Sequence, residues 1–103
     1  MGFVKLGALA ALPPGALSQV IVGDKEVVLC NSEGTVHAFN GQCPHQQGPL
    51  GEGNFDSNTI ICPWHGWEFN CITGENDFDP ELKLERYPVE VRDNEIYVNI
   101  PEA

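Results

Sequence analysis

Cys43-Pro-His45-Gln-Gln-Gly-Pro-Leu-Gly-Glu-Gly53, followed a little later by Cys62-Pro-Trp-His65-Gly-Trp67, are the stretches on which the reading of this chain turns. Each supplies one thiol and one imidazole, separated by one residue in the first stretch and by two in the second. Spacing this short lets both side chains of a stretch point into one small space, which suits a compact metal centre. Zinc accepts two Cys and two His tetrahedrally, but its common sites pair Cys with Cys in one knuckle and His with His in another. A binuclear iron–sulfur centre accounts better for mixed pairs, with Cys43 and Cys62 on one iron and His45 and His65 on the other.

Working outward, the segment Gly41 to Gly74 clusters glycine and proline and contains no Lys or Arg. On either side, short apolar runs alternate with turn signals, and no stretch repeats its apolar positions at helical spacing. The pattern predicts an all-β fold with strands at Phe3–Leu6, Ser18–Val22, Glu26–Cys30, Val36–Phe39, Thr59–Cys62, Glu68–Asn70, Arg86–Val91 and Glu95–Ile100, and a short helical turn at Pro80–Leu84. Gly23-Asp24, Asn31-Ser-Glu-Gly34, Asn40-Gly41, Thr73-Gly74 and Asp93-Asn94 carry the residues that tolerate tight or left-handed turns. The apolar run Leu6 to Leu12 imitates a secretory signal, but Pro13-Pro14-Gly15 stands where a cleavage site belongs, so a strand and turn are expected there. No stretch approaches the ~20 apolar residues of a membrane span.

The order C-x-H, sixteen residues, C-x-x-H resembles the Rieske [2Fe-2S] signature. The resemblance fixes four ligand positions and is supported by the prolines, Gly48 and Gly66; it extends over nearly the whole chain. It implies a Rieske iron–sulfur fold: an antiparallel β-sandwich or barrel base subdomain, 1–40 and 75–103, with an inserted cluster-binding subdomain of two loops, 41–74. It implies one [2Fe-2S] cluster on Cys43, His45, Cys62 and His65, with the histidine side as the route for electrons and Pro80 in a third loop beside the cluster. Pro44, Pro63, Gly48 and Gly66 are read as shaping the loops, Trp64 as a shield at the docking tip and Trp67 as packing inward. His37, in the alternating strand Thr35–Phe39, has no ligand partner at motif spacing and is expected to be structural. Cys30 and Cys71 are expected to be free buried thiols, with a mutual disulfide as the alternative.

High-potential Rieske proteins of respiratory complexes are similar but carry an extra cysteine in each loop, where this chain has Gly48 and Trp64. They also place a serine and a tyrosine hydroxyl near the cluster, where this chain has Trp67 and Phe69. Fewer hydroxyl donors, with Glu52, Asp56 and Glu68 in the segment and no basic residue, disfavour adding an electron. The expected potential lies at the low end of the Rieske range, about −150 mV.

Composition narrows the function. Five Lys or Arg against fifteen Asp or Glu give the 103-residue chain a formal charge of −10. Nucleic acid and anionic membranes are therefore excluded as partners, and a protein that docks by charge must present a basic patch. No nucleophile with a base, paired catalytic carboxylates or phosphate-binding glycine loop is present. A redox centre without a substrate site reads as a cytoplasmic one-electron carrier, not an enzyme. The resemblance implies a ferredoxin of bacterial aromatic-ring dioxygenase systems, with a flavin-dependent ferredoxin reductase as donor and a terminal oxygenase as acceptor. The alternatives are the small Rieske subunit of an assimilatory nitrite reductase and a zinc-stapled interaction domain.

Overall fold

The run Val27-Val28-Leu29-Cys30 has no polar residue to alternate with, and a strand of that kind belongs where both faces of a sheet are covered. In the computed structural model, which describes residues 3–23, 25–41, 50–56, 58–63, 66–76, 79 and 81–100, it lies inside the central sheet. The described strands are β1 (Phe3–Ala8), β2 (Leu17–Val22), β3 (Lys25–Ser32), β4 (Thr35–Asn40), β5 (Asn54–Asp56), β6 (Thr59–Ile61), β7 (Glu68–Asn70), β8 (Arg86–Tyr87), β9 (Val89–Arg92) and β10 (Glu95–Asn99). They form a central sheet β2-β3-β4-β8, an outer sheet β1-β10-β9 and a small sheet β5-β6-β7, with antiparallel pairing throughout.

The tight hairpins follow from local sequence. Glu33-Gly34 between β3 and β4 and Asp93-Asn94 between β9 and β10 all take positive φ, at 52°, 99°, 51° and 62°. That geometry matches the right-handed twist of the flanking strands, and Gly, Asn and Asp accept it at least cost.

Two cores result from the two faces of the central sheet. Val27, Leu29, Val36, Ala38 and Tyr87 pack toward Ile96 and Val98 of the outer sheet and toward Leu12 and Ile100. Val28, Cys30 and Phe39 face the other way, onto Ile60 and Phe69 of the small sheet together with Leu50, Cys62, Cys71 and Leu84. The all-β expectation therefore holds, and the seam between central and small sheets is the inner core on which the loops of interest rest.

Several details differ from the sequence reading. The expected strand Arg86–Val91 is two strands serving different sheets, because Pro88 has no N–H to donate: β8 pairs with β4 and β9 with β10. β5 and the 3-10 turns Leu9–Ala11 and Leu50–Glu52 carried no pattern strong enough to anticipate. Near Pro80–Leu84, where Pro80 lies outside the described residues, the Leu82 N–H donates to the Asp79 carbonyl at 2.9 Å and Lys83 bridges Glu75, a turn instead of a helix. The run Leu6–Leu12 is the end of β1 and a 3-10 turn. Among the described residues no helix is long and apolar enough to cross a membrane.

The expectation of free thiols at Cys30 and Cys71 is corrected: the two form a disulfide, with Cα atoms 6.3 Å apart and a separation of 41 positions in sequence. Nothing local in the sequence points to the pairing. It follows from the inner core, which sets β3 against the turn that leaves β7.

Candidate metal centre

The first candidate loop is closed at its base. The Leu50 N–H donates to the Gly41 carbonyl at 2.9 Å, and the Gly41 N–H donates to the Glu26 carbonyl at 2.8 Å, so the chain leaves and returns beside the end of β4 and is fastened to β3. Gln19 of β2 fixes the returning 3-10 turn Leu50–Glu52. Its side-chain oxygen accepts from the Gly51 N–H at 2.8 Å, and its amide donates to Glu26 Oε1 at 2.9 Å. Gly51 sits so close to β2 that a Cβ there would lie 2.5 Å and 2.6 Å from Gln19 Cα and N.

The second loop is a tight turn. The Gly66 N–H donates to the Cys62 carbonyl at 3.2 Å and the Cys62 N–H to the Trp67 carbonyl at 2.8 Å. Gly66 has φ +72°, a left-handed conformation that a side chain would strain.

The small sheet sets the bases of these two loops side by side. β5 carries the chain away from the first loop, β6 carries it into the second, and the two are hydrogen-bonded neighbours. At their junction a Cβ on Gly53 would fall on the Ile61 carbonyl oxygen and lie 3.1 Å from Pro63 Cδ. Glycine is what lets the two loop bases touch.

Of the four expected ligands, Cys62 is described. It is a free thiol, 4% exposed, in the inner core at the end of β6. Cys43, His45 and His65 lie outside the described residues, as do Pro44, Gly48 and Trp64. Accordingly, among the described residues no three His, Cys, Asp or Glu side chains gather as a metal site. The residues fit a [2Fe-2S] centre on two grounds. Cys62 stays unpaired while Cys30 and Cys71 consume each other, and a buried thiol beside an opposing loop base suits a soft metal ligand.

The surroundings agree in part with the sequence reading. Trp67 is half-buried against the inner core and Phe69 is fully buried in it, so neither the indole nor the phenyl ring brings a hydroxyl. His37 stands apart on β4, where Arg86 Nη1 lies 3.2 Å from its Nδ1. Burial, and then the Arg86 charge, hold the His37 imidazole below its usual pKa, so it serves as a neutral acceptor. The same guanidinium donates to the Ile72 carbonyl and lies 4.8 Å from the centre of the Phe39 ring. The role of Gln19 and of Gly51 and Gly53 escaped the sequence reading. A polar Gln among the apolar residues of Leu17–Val22 was the available signal.

The Rieske [2Fe-2S] domain profile matches residues 2–88. The ferredoxin component of the alkene monooxygenase system of Xanthobacter autotrophicus is 31% identical over 93% of this chain and 80% of its own length. Human apoptosis-inducing factor 3 is 34% identical over 84% of this chain, which spans 14% of that longer protein. Among solved structures, one of the complex of reduced oxygenase and oxidized ferredoxin in carbazole 1,9a-dioxygenase aligns with a TM-score of 0.84 at 31% identity, covering 93% of this chain and 91% of the other. A putative nitrite reductase small subunit from Mycobacterium tuberculosis aligns over 99% of this chain and 97% of its own, with a TM-score of 0.83 at 22% identity, a likeness of fold alone. Two adjoining loop bases on a β-scaffold, a free buried cysteine at one of them and a profile match over most of the length converge: the chain belongs to the Rieske [2Fe-2S] domain family.

Proposed function

We propose that this chain is a low-potential cytoplasmic ferredoxin, not itself an enzyme, that carries one electron from a flavin-dependent reductase to a terminal ring-hydroxylating oxygenase. The observation that carries the reading is the match to a ferredoxin component, 31% identical over 93% of this chain and 80% of the relative. In this reading Cys43 and Cys62 hold one iron and His45 and His65 the other, on a cluster-binding subdomain 41–74 inserted in a base of 1–40 and 75–103. When bound, a [2Fe-2S] centre supplies reversible uptake of one electron.

The chain's own residues do the rest. Cys62 lies in the inner core, away from water, and Gly66 and Gly53 give its turn the shape that keeps the two loop bases in contact. Trp67 and Phe69 line that core without an O–H to stabilise added negative charge, which supports a low potential. Nine of the fifteen carboxylates lie from Glu75 onward, so an acidic surface accompanies a cluster segment that carries no Lys or Arg. A basic partner surface is its complement.

The test is reconstitution with a flavin-dependent reductase and a ring-hydroxylating oxygenase. The reading expects reduction by the flavoprotein well above background and oxygenase turnover that depends on this chain. Stoichiometric co-purification with a large nitrite reductase subunit, without oxygenase support, would replace it with the nitrite reductase reading.

A further inference from the structure

The two cysteines outside the candidate centre are bonded to each other, and the bond encloses the centre. Cys30 stands in β3 of the central sheet, and Cys71 follows β7 at the end of the small sheet. Because the two cysteines are 41 positions apart, the covalent ring runs through every position from 43 to 65. All four candidate ligands lie inside it. Both side chains have no solvent exposure and share the inner core with Cys62, Phe39 and Phe69. A non-covalent tie crosses the same seam, where Ser32 Oγ of β3 donates to Asn58 Oδ1 at 2.7 Å, and Asn58 is in turn held to the small sheet by the Cys71 N–H, which donates to its carbonyl at 2.8 Å.

The small sheet depends on this seam. Its strands are three residues each, too short for a sheet that stands alone, so β5, β6 and β7 keep their place only while their inner face stays on β3 and β4. A cross-link over a long loop removes extended conformations from the unfolded chain, and its effect grows with the loop it closes.

We propose that the Cys30–Cys71 bond is a redox-conditional clasp coupled to cluster occupancy. The oxidised bond keeps the cluster-free chain folded with its ligand loops together, and a bound cluster in turn protects the bond from reduction. Linkage makes the two effects reciprocal: if the bond favours cluster binding by some factor, the cluster favours the bond by the same factor. The reductant is a dithiol. It gives up two electrons and two protons, the S–S bond breaks, Cys30 and Cys71 become thiols, and the reagent closes to its own disulfide. A thiolate must reach a sulfur to do this, and both sulfurs lie in the core, so the seam must open first.

The inference rests on the proposed ligand set for what the ring encloses, whereas the bond itself does not. The experiment uses the full chain, cluster-loaded and cluster-free, treated with dithiothreitol and then alkylated in denaturant. Without reductant the cluster-free chain should label at Cys43 and Cys62 alone, and with it at all four cysteines. Reduction should be at least about fivefold slower in the loaded protein. Reducing the cluster-free chain should raise its unfolding equilibrium constant by about 10²–10³, read from the urea midpoint. The double variant Cys30→Ala, Cys71→Ala should match the reduced chain, and if it does not fold, the wild-type titration still decides. Four labels without reductant, an unchanged urea midpoint, or equal reduction rates with and without cluster would each overturn the clasp. If the chain takes up no iron, the ligand assignment and the coupling fail together, while label count and midpoint test the clasp independently.

Discussion

Gly53 shows how much of the site depends on an absent side chain. A Cβ there would fall on the Ile61 carbonyl oxygen, which is backbone and cannot step aside. Gly53→Ala should therefore lower stability by about 1–3 kcal/mol in chemical denaturation and reduce iron content in parallel, because it parts the two loop bases. His37 gives a prediction in pH. Its folded pKa is depressed, by burial first and by Arg86 second, so the unfolded chain binds the proton more readily. The stability its neutral form contributes is full above the unfolded value, about 6.5, and is lost as pH falls through the folded one. Unfolding midpoints measured from pH 8 to 5 should fall through that window, and His37→Gln, which keeps an acceptor but does not titrate, should flatten the part due to this residue.

At the scale of the element, β8 and β9 carry the clearest lesson. Pro88 ends one strand and frees the chain to begin another in a different sheet, which places Tyr87 in the outer core with its hydroxyl buried and without a hydrogen-bond partner among the described residues. Tyr87→Phe should therefore be neutral or stabilising by up to about 1 kcal/mol, measured by thermal or urea unfolding. The strands themselves were legible, since β1 to β4, β6, β7 and β10 follow apolar runs bounded by turn residues. The hairpins at Glu33-Gly34 and Asp93-Asn94 were legible because left-handed turns restrict their occupants. What stayed hidden was set by distant contacts. β5 has no strong pattern and forms because β6 offers it an edge, and Cys30 meets Cys71 only through the packing of two sheets. For the site, spacing names four candidate ligands, of which Cys62 lies among the described residues, whereas the hold of Gln19 on Gly51 was not legible, because it joins residues 32 apart.

The whole molecule is an acidic β-scaffold that holds the bases of two loops together. Its charge of −10 makes docking with a basic partner sensitive to screening. The rate at which a flavoprotein reduces it should fall several-fold as ionic strength rises from roughly 0.01 to 0.5 M, as expected for a steered encounter over a small interface. The redox midpoint should lie near the lower end of the Rieske range, at about −150 mV, and a potentiometric titration reads it directly. The redox function depends on the chemical identity of the centre. Iron and acid-labile sulfide per chain, counted in the wild type and in Cys43→Ala, His45→Ala, Cys62→Ala and His65→Ala, test that identity most directly. Two of each are expected in the wild type, and loss in all four variants. Zinc in place of iron, or full iron and sulfide in any of the four, would contradict that identity.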